Sequence, residues 1–301
     1  MKNSNSPNSY IDMGFYYMIA AALQRRVYLG SDDKPLFLNQ YCIFVGPPGI
    51  GKGEVLIPVA GILKEHKLRR NLAAPTAAKE QIDPTAAQAL MQEFVEANPH
   101  LKDSINGHAT KRLDEPLAIP IAADATTYEA LLRRHSLALR TLHHSGNSKL
   151  LKNGMYSHSS LCFCLEEISS LFRKHTEDTA RYLIRAYDCT NYEYDTKTPG
   201  LQDRILSPCL NFLGGTQPSF IAEIFKDRLL TEGFASRTWF INEEEPRSYR
   251  YDIFTFSPEQ LEARAGLVKH VGELIKLFGN LKQTSAAYSF MKNYVETILP
   301  N

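Results

Sequence analysis

The sequence predicts an α/β protein: a three-layer α/β/α arrangement around a five-stranded, mostly parallel sheet, with helical N- and C-terminal additions. Three observations carry that prediction. Five short apolar runs, at residues 38–45, 117–123, 161–165, 208–213 and 238–241, alternate with segments of helical spacing, the pattern that builds parallel sheets. The third run, Leu161-Cys162-Phe163-Cys164-Leu165, is apolar throughout, as a strand buried on both faces must be. The first run ends in a glycine-rich turn that opens a helix, and the third ends in two glutamates.

Composition narrows the class. A chain of 301 residues can bury one large core, alone or with an appendage. Hydrophobic content of 44% and charged content of 22% are ordinary for a globular protein, and a net charge of +1 leaves nucleic-acid binding to local patches. The five cysteines are too few and too scattered for a disulfide scaffold, and Cys162-x-Cys164 lacks metal or redox spacing, which points to a reducing cytoplasm. The apolar run Met13–Leu23 is too short to span a bilayer and lacks a basic leader, so it reads as a buried helix.

In chain order, residues 1–9 read as a disordered polar tail and residues 10–26 as a helix. Together, residues 1–30 form an N-terminal addition to a core spanning 31–245, and 246–301 form a C-terminal helical segment. Ser31–Pro35 is turn chemistry before the first strand. A helix runs from Gly51 to about Lys67, ending in a basic stretch that suits a solvated helix terminus. Pro84–Ala97 predicts another helix, and Tyr128 to about His143 a further one carrying Arg133, Arg134 and Arg140, read as a solvated face or a DNA groove. Ser145–His158 reads as a loop, Ile168–Lys174 and Asp178–Tyr187 as helical, Asn191–Ile205 as a hairpin and Ser219–Phe225 as a short helix. Ser257-Pro258-Glu259-Gln260 is a capping box with proline at the first helical position, and a final helix covers Thr284–Leu299.

The stretch Gly46-Pro47-Pro48-Gly49-Ile50-Gly51-Lys52-Gly53-Glu54 matches G-x-x-x-x-G-K between a strand and a helix, the phosphate-binding P-loop. Its glycines let backbone N–H groups turn toward phosphate oxygens, the helix dipole adds positive potential, and Lys52 supplies a point charge for the β/γ-phosphates. Gly53 stands where the motif has a Ser or Thr that ligates Mg²⁺. Glu166-Glu167 reads either as a Mg²⁺ and water-orienting pair or as a solvated helix start. Thr216 and Gln217, ending the fourth strand, read as γ-phosphate contacts or as turn chemistry.

The P-loop, the Leu161–Glu167 strand, Phe212-Leu213-Gly214-Gly215-Thr216-Gln217-Pro218 and Gly233-Phe234-Ala235-Ser236-Arg237 appear in an order that resembles the P-loop ATPases of phages, plasmids and integrative elements, a group associated with primases and helicases. The resemblance spans residues 10–245 and implies an AAA+/RecA-like P-loop NTPase with an MCM-like helicase core. It implies ATP and Mg²⁺ as cofactors, with Lys52 on the β/γ-phosphates, Glu166 on Mg²⁺ and Glu167 polarising water. It makes Gln217 a γ-phosphate sensor and Arg237 a finger reaching a neighbouring subunit's nucleotide. Single-stranded DNA, a hexameric ring of identical subunits, primase or other replication partners and a cytoplasmic, membrane-free setting follow as its expectations. The hairpin then falls where such helicases contact DNA, offering Tyr192, Tyr194 and Lys197, or else it is a surface hairpin with its tyrosines packed underneath. Besides Gly53, the chain departs from the MCM pattern at Glu166, where Asp is usual, and at Trp239 after Arg237-Thr238. A nucleotide-binding regulatory module without hydrolysis is the competing expectation, and a P-loop kinase a third.

Overall fold

The computed structural model describes residues 4–73, 119–122, 127–144, 148–152, 154–172, 176–195, 202–224, 233–250 and 255–298. Its centre is a five-stranded sheet in the order β4 (Leu139–His143), β5 (Met155–Leu165), β8 (Pro208–Thr216), β3 (Tyr41–Val45), β9 (Trp239–Asn242). The last four run parallel and β4 is antiparallel, so the α/β class and the mostly parallel sheet are as expected. A hairpin of β1 (Val27–Ser31) and β2 (Lys34–Phe37) turns at Asp32-Asp33, and β10 (Gly279–Asn280) extends it. A second hairpin pairs β6 (Tyr192–Asp195) with β7 (Gln202–Ile205).

Alternation along β3 creates two cores. Tyr41, Ile43 and Val45 point to one face, where they join Leu131 and Leu132 of α3 (Tyr128–Ser136) and Leu183 of α4 (Thr176–Tyr187). Cys42 and Phe44 point to the other, under α1 (Asn8–Leu23), α2 (Lys52–Ala73) and α6 (Pro258–Leu274). The N-terminal helix and the first C-terminal helix thus share a core with α2. Gly14 permits the close approach of α1 to α2, since a Cβ there would lie 2.5 Å from Val55 Cγ1. The capping box of α6 forms as expected, with Ser257 Oγ accepting from Gln260 N.

Several expectations fail for physical reasons. The helix from Tyr128 stops at Ser136, and the residues after it form β4, whose Leu139, Thr141 and Leu142 suit an edge strand. Burying that strand against β5 outweighs the helical spacing. It also moves Arg140 from the expected solvated face into the protein, whereas Arg133 and Arg134 stay exposed. Residues 119–122, the described part of the expected second strand, contribute a bridge from Ile121 to Cys162 beside β5 rather than a ladder. Met155–His158, expected as loop, is the first part of β5. Residues 4–9 are ordered rather than a loose tail, and Ser4, Ser6 and Pro7 are buried. Tyr192 packs inward: its ring meets Tyr182 edge-on and its hydroxyl lies 2.8 Å from that of Tyr128. The Pro84–Ala97 helix, Lys197 and the Pro199-Gly200 turn lie outside the described residues.

α5 (Pro218–Ile224) follows β8, and α7 (Ser285–Asn293) continues into a wider turn to Ile298. Among the described residues, no helix is long and apolar enough to cross a membrane.

Candidate functional site

Parallel pairing brings the carboxyl ends of β3, β8 and β5 to one edge of the sheet, where ligands of open α/β sheets bind. Val45 lies opposite Thr216, and Leu165 lies opposite Gly214. Residues 46–52 leave that edge as a loop. Gly46 N donates to the Thr216 carbonyl at 3.3 Å. The position tolerates only glycine, because a Cβ would stand 2.7 Å from the Glu243 carbonyl oxygen and 2.8 Å from Tyr10 Oη. Pro47, Pro48 and Gly49 are exposed, while Ile50 is buried in the α1–α2 core and anchors the loop. Gly49 and Gly51 take φ of +83° and +96°, the left-handed region that glycine enters without a steric penalty. Open space surrounds the Cβ position of Gly49, whereas that of Gly51 would strike the Ser6 backbone at 2.8 Å.

Lys52 opens α2 and folds back into this loop. Its Nζ donates to the carbonyls of Gly46 at 2.5 Å and Pro47 at 3.0 Å. Burial pushes its pKa down, and the nearby Glu167 carboxylate opposes that shift. Gly215 on β8 leaves room for the lysine stem, since a Cβ would sit 3.4 Å from Lys52 Cδ and 2.7 Å from the Glu166 carbonyl.

Glu166 and Glu167 end β5, and both are exposed. Glu167 Oε1 accepts from Thr216 Oγ1 at 3.0 Å and from Ser169 N at 3.2 Å, capping the short turn Ile168–Leu171. Glu167 thus caps a turn, as the second of the two expected readings has it, and its carboxylate lies close enough to Lys52 to act on that ammonium. Gln217 is exposed one residue beyond Thr216, and its carbonyl accepts from Phe220 N at 3.1 Å at the start of α5. Gly53 sits in the first turn of α2, with Ile57 Cδ1 at 3.8 Å the nearest atom to its Cβ position. Glu54 faces the N-terminal segment rather than the loop: Oε2 accepts from Ser4 Oγ at 2.7 Å and Asn5 N at 2.8 Å.

Arg237 is not at this edge. It precedes β9, in which Trp239 pairs with Cys42, near the amino end of β3. Gly46 lies four residues beyond Cys42 along the strand direction, about 13 Å at 3.3 Å per residue, and Arg237 precedes Trp239 on the side away from it. There it forms a two-pronged ion pair with Asp188, Nε to Oδ1 at 2.9 Å and Nη2 to Oδ2 at 2.8 Å, and donates from Nη1 to the Gly233 carbonyl at 3.0 Å.

The structure thus brings Gly46–Gly53, Lys52, Glu166, Glu167, Thr216 and Gln217 to one edge and leaves Arg237 at the other. No protein-family model matches the chain, and no curated protein matches it. The functional reading therefore rests on the site itself.

Sequence reasoning overlooked the residues that frame the loop, Ser4, Asn5, Tyr10 and Glu243, and Asp188, which holds Arg237 at the other end. Tyr10 Oη donates to the Val45 carbonyl at 2.6 Å, and Ser9 Oγ donates to Glu243 Oε1 at 2.5 Å. None carries a motif, and the contacts join residues far apart in the chain.

The loop's open mouth, left-handed glycines and terminal lysine fit a polyphosphate. The donors for a divalent cation are sparser. Among the described residues, no group of three or more His, Cys, Asp or Glu side chains could hold a metal ion. Glu166, exposed beyond the end of β5, is the carboxylate that would hold a Mg²⁺, an ion that at nucleotide sites keeps phosphate and water ligands besides one or two carboxylates.

Proposed function

We propose that the chain is an AAA+/RecA-like P-loop NTPase that binds ATP with Mg²⁺ at residues 46–54 and hydrolyses it. The observation that carries this reading is Lys52 curled inside its own glycine loop, with Glu167 braced by Thr216 on the neighbouring strand. Incoming phosphates replace the Gly46 and Pro47 carbonyls as partners of the ammonium. Glu166 holds the cation, Glu167 orients water toward the γ-phosphate, and Gln217 senses that phosphate from the strand end. Mg²⁺ supplies charge neutralisation of the phosphate oxygens when bound.

The larger proposal is a helicase-like motor of mobile-element or phage DNA replication, working on single-stranded DNA as a ring oligomer with primase or other replication partners. The order of the sequence motifs motivates it; Arg237 lies at the other end of the sheet from residues 46–52 and would exchange Asp188 for a neighbour's nucleotide to act as a finger. Tyr192, packed on Tyr182 and Tyr128, is unavailable for stacking on a base, so the hairpin lends no support to a DNA contact there.

Gly53 favours a second reading, a hydrolysis-deficient regulatory or scaffolding module. One set of measurements separates them: ATP binding in the wild type and Lys52→Ala, and ATPase activity with and without single-stranded DNA in the wild type, Glu167→Gln and Gly53→Ser. The enzyme reading expects binding that Lys52→Ala abolishes, and turnover that Glu167→Gln abolishes. Turnover appearing only in Gly53→Ser establishes the second reading. Undiminished binding in Lys52→Ala overturns both. Light scattering with ATP and Mg²⁺ tests the ring, and a strict monomer under all conditions removes the finger role of Arg237.

A further inference from the structure

The chain is last tied to its body at β10. Gly279 and Asn280 pair with Val27 and Tyr28 of β1, Asn280 Nδ2 donates to the Gly30 carbonyl, and Leu281 N donates to the Tyr28 carbonyl at 2.7 Å. Thr284 Oγ1 then accepts from Ala287 N at 3.2 Å and caps the start of α7. Beyond that tie nothing is buried: every position from 281 to 297 is exposed. The segment is nevertheless two-sided. Ala287, Tyr288, Met291, Tyr294 and Val295 recur at three- and four-residue spacing along one side, whereas Ser285, Ser289, Lys292, Asn293 and Glu296 fall on the other. Phe290 stacks on Tyr294, with ring centroids 6.5 Å apart and planes 18° apart, and widens the apolar side. Tyr288, Phe290, Met291, Tyr294 and Val295 are between 42% and 67% exposed.

A nine-residue helix is too short to persist in water by itself, where about 12–15 residues are needed. Its stability has to come from a surface that covers the apolar side. Aromatic residues and Met are the side chains enriched in the cores of protein–protein interfaces. Lys292 and Glu296 are the two charged residues of 285–297, so the arm has neither the basic face that lipid or nucleic acid attracts nor a net charge that would keep two arms apart. Covered aromatic side chains bury about 150–250 Å² each, so the exposed parts of Tyr288, Phe290 and Tyr294, with Met291 and Val295, offer roughly 500 Å² per copy. Two copies together reach about 1,000 Å², the size from which a specific interface holds.

We propose that α7 is a dimerisation arm, through which two copies of the chain pair as antiparallel helices about a two-fold axis at Met291. In that register Met291 meets the partner's Met291, Tyr288 lies opposite the partner subunit's Tyr294, and Val295 lies opposite the partner subunit's Ala287. Aromatic meets aromatic on each side of the axis, and a branched side chain meets a small one at each end. The same patch serves both copies, so the contact closes at two. It draws on no residue of the loop 46–54 and forms without nucleotide.

The test is sedimentation of the full chain, without nucleotide, over a concentration series. A reversible species of twice the chain mass is expected in the micromolar range. Met291→Asp and Val295→Asp are each expected to weaken it about 10-fold or more, and Ser289→Asp, on the polar side, to leave it unchanged. Met291→Cys, at the axis, is expected to give a disulfide-linked dimer under mild oxidation that neither Ser289→Cys nor the wild type forms. All these positions are exposed, and circular dichroism checks that the body keeps its fold. A monomer at every concentration, a dimer that Met291→Asp leaves intact, or equal cross-linking of Met291→Cys and Ser289→Cys overturns the proposal. A monomeric chain that sediments with anionic phospholipid vesicles overturns it in favour of a lipid surface.

Discussion

Thr216 Oγ1 donates a hydrogen bond to Glu167 Oε1 across 3.0 Å, linking the ends of two adjacent parallel strands beside residues 46–52. Thr216 is completely buried, so this hydroxyl has one fixed direction. A hydrogen bond to a charged group contributes about 1.5–3 kcal/mol. Replacing Thr216 with valine keeps the shape and frees the carboxylate. On the enzyme reading, kcat is expected to fall about 10- to 100-fold while ATP affinity changes little. Steady-state kinetics beside equilibrium titration check it, and equal losses in both would make Thr216 a binding residue instead.

Lys52→Ala should erase the thermal protection that ATP confers. A ligand at 100 times its Kd stabilises the folded state by about 2.7 kcal/mol. Differential scanning calorimetry with and without ATP and Mg²⁺ reads this directly. The wild type should shift upward by several degrees, and the variant should not move.

Glycines 49 and 51 should respond unequally to alanine. Both pay the left-handed penalty of roughly 1–2 kcal/mol. At Gly49 the methyl group meets open space, but at Gly51 it meets the Ser6 backbone at 2.8 Å. Gly51→Ala is therefore expected to be the more destabilising in urea unfolding and to increase proteolysis of the segment around Ser6. Equal losses would mean that the segment yields without cost.

Arg237→Ala should cost little stability, because partly exposed ion pairs contribute under about 1 kcal/mol. On the ring reading it abolishes turnover in the assembled form, by about 10³-fold or more, without impairing ATP binding. Mixing it with Lys52→Ala subunits should restore some activity, since each supplies what the other lacks. No recovery in mixtures that do assemble would assign Arg237 to its pair with Asp188 alone.

His135 predicts acid sensitivity. It is buried between Tyr182 and the Ser159 carbonyl, which accepts from Nε2 at 2.9 Å, and burial pulls its pKa down to about 4. The unfolded chain, near 6.5, takes up a proton that the folded chain refuses. Stability from this group is complete above about pH 6.5 and is lost as pH falls toward 4, on the order of 3 kcal/mol. His158 is shifted the same way by burial and by Arg26, Arg25 and Arg140. Urea denaturation at pH 7 and pH 4.5 checks the slope, and His135→Gln should flatten it.

Local chemistry made much of this legible. Gly46–Lys52 announced its loop because left-handed glycines and a helix-opening lysine are properties of neighbouring residues. The acidic pair could be read because Leu161–Leu165 is uniformly apolar. The strand at Leu139–His143 could not, because its residues continue the helical spacing of Tyr128–Ser136 and only pairing with β5 decides their conformation. Glu54 was read as part of the phosphate loop, yet its partners are Ser4 and Asn5, fifty positions away in the chain. The inward turn of Arg140 and the engagement of Arg237 by Asp188 are tertiary facts of the same kind.

The seam between the N-terminal segment and residues 243–250 has a kinetic consequence. Arg247 N donates to the Asn5 carbonyl at 2.8 Å, and Ser248 Oγ reaches the Ser4 carbonyl across 244 positions of chain. Contacts of such separation bring their reward only after a long loop has been closed. The strands and α2 can therefore assemble first, with this seam closing over Gly51 and Glu54 afterwards. During synthesis, a chain that has emerged only as far as β9 would hold the glycine loop 46–52 not yet framed, so the last element of the candidate site to mature would be its wall.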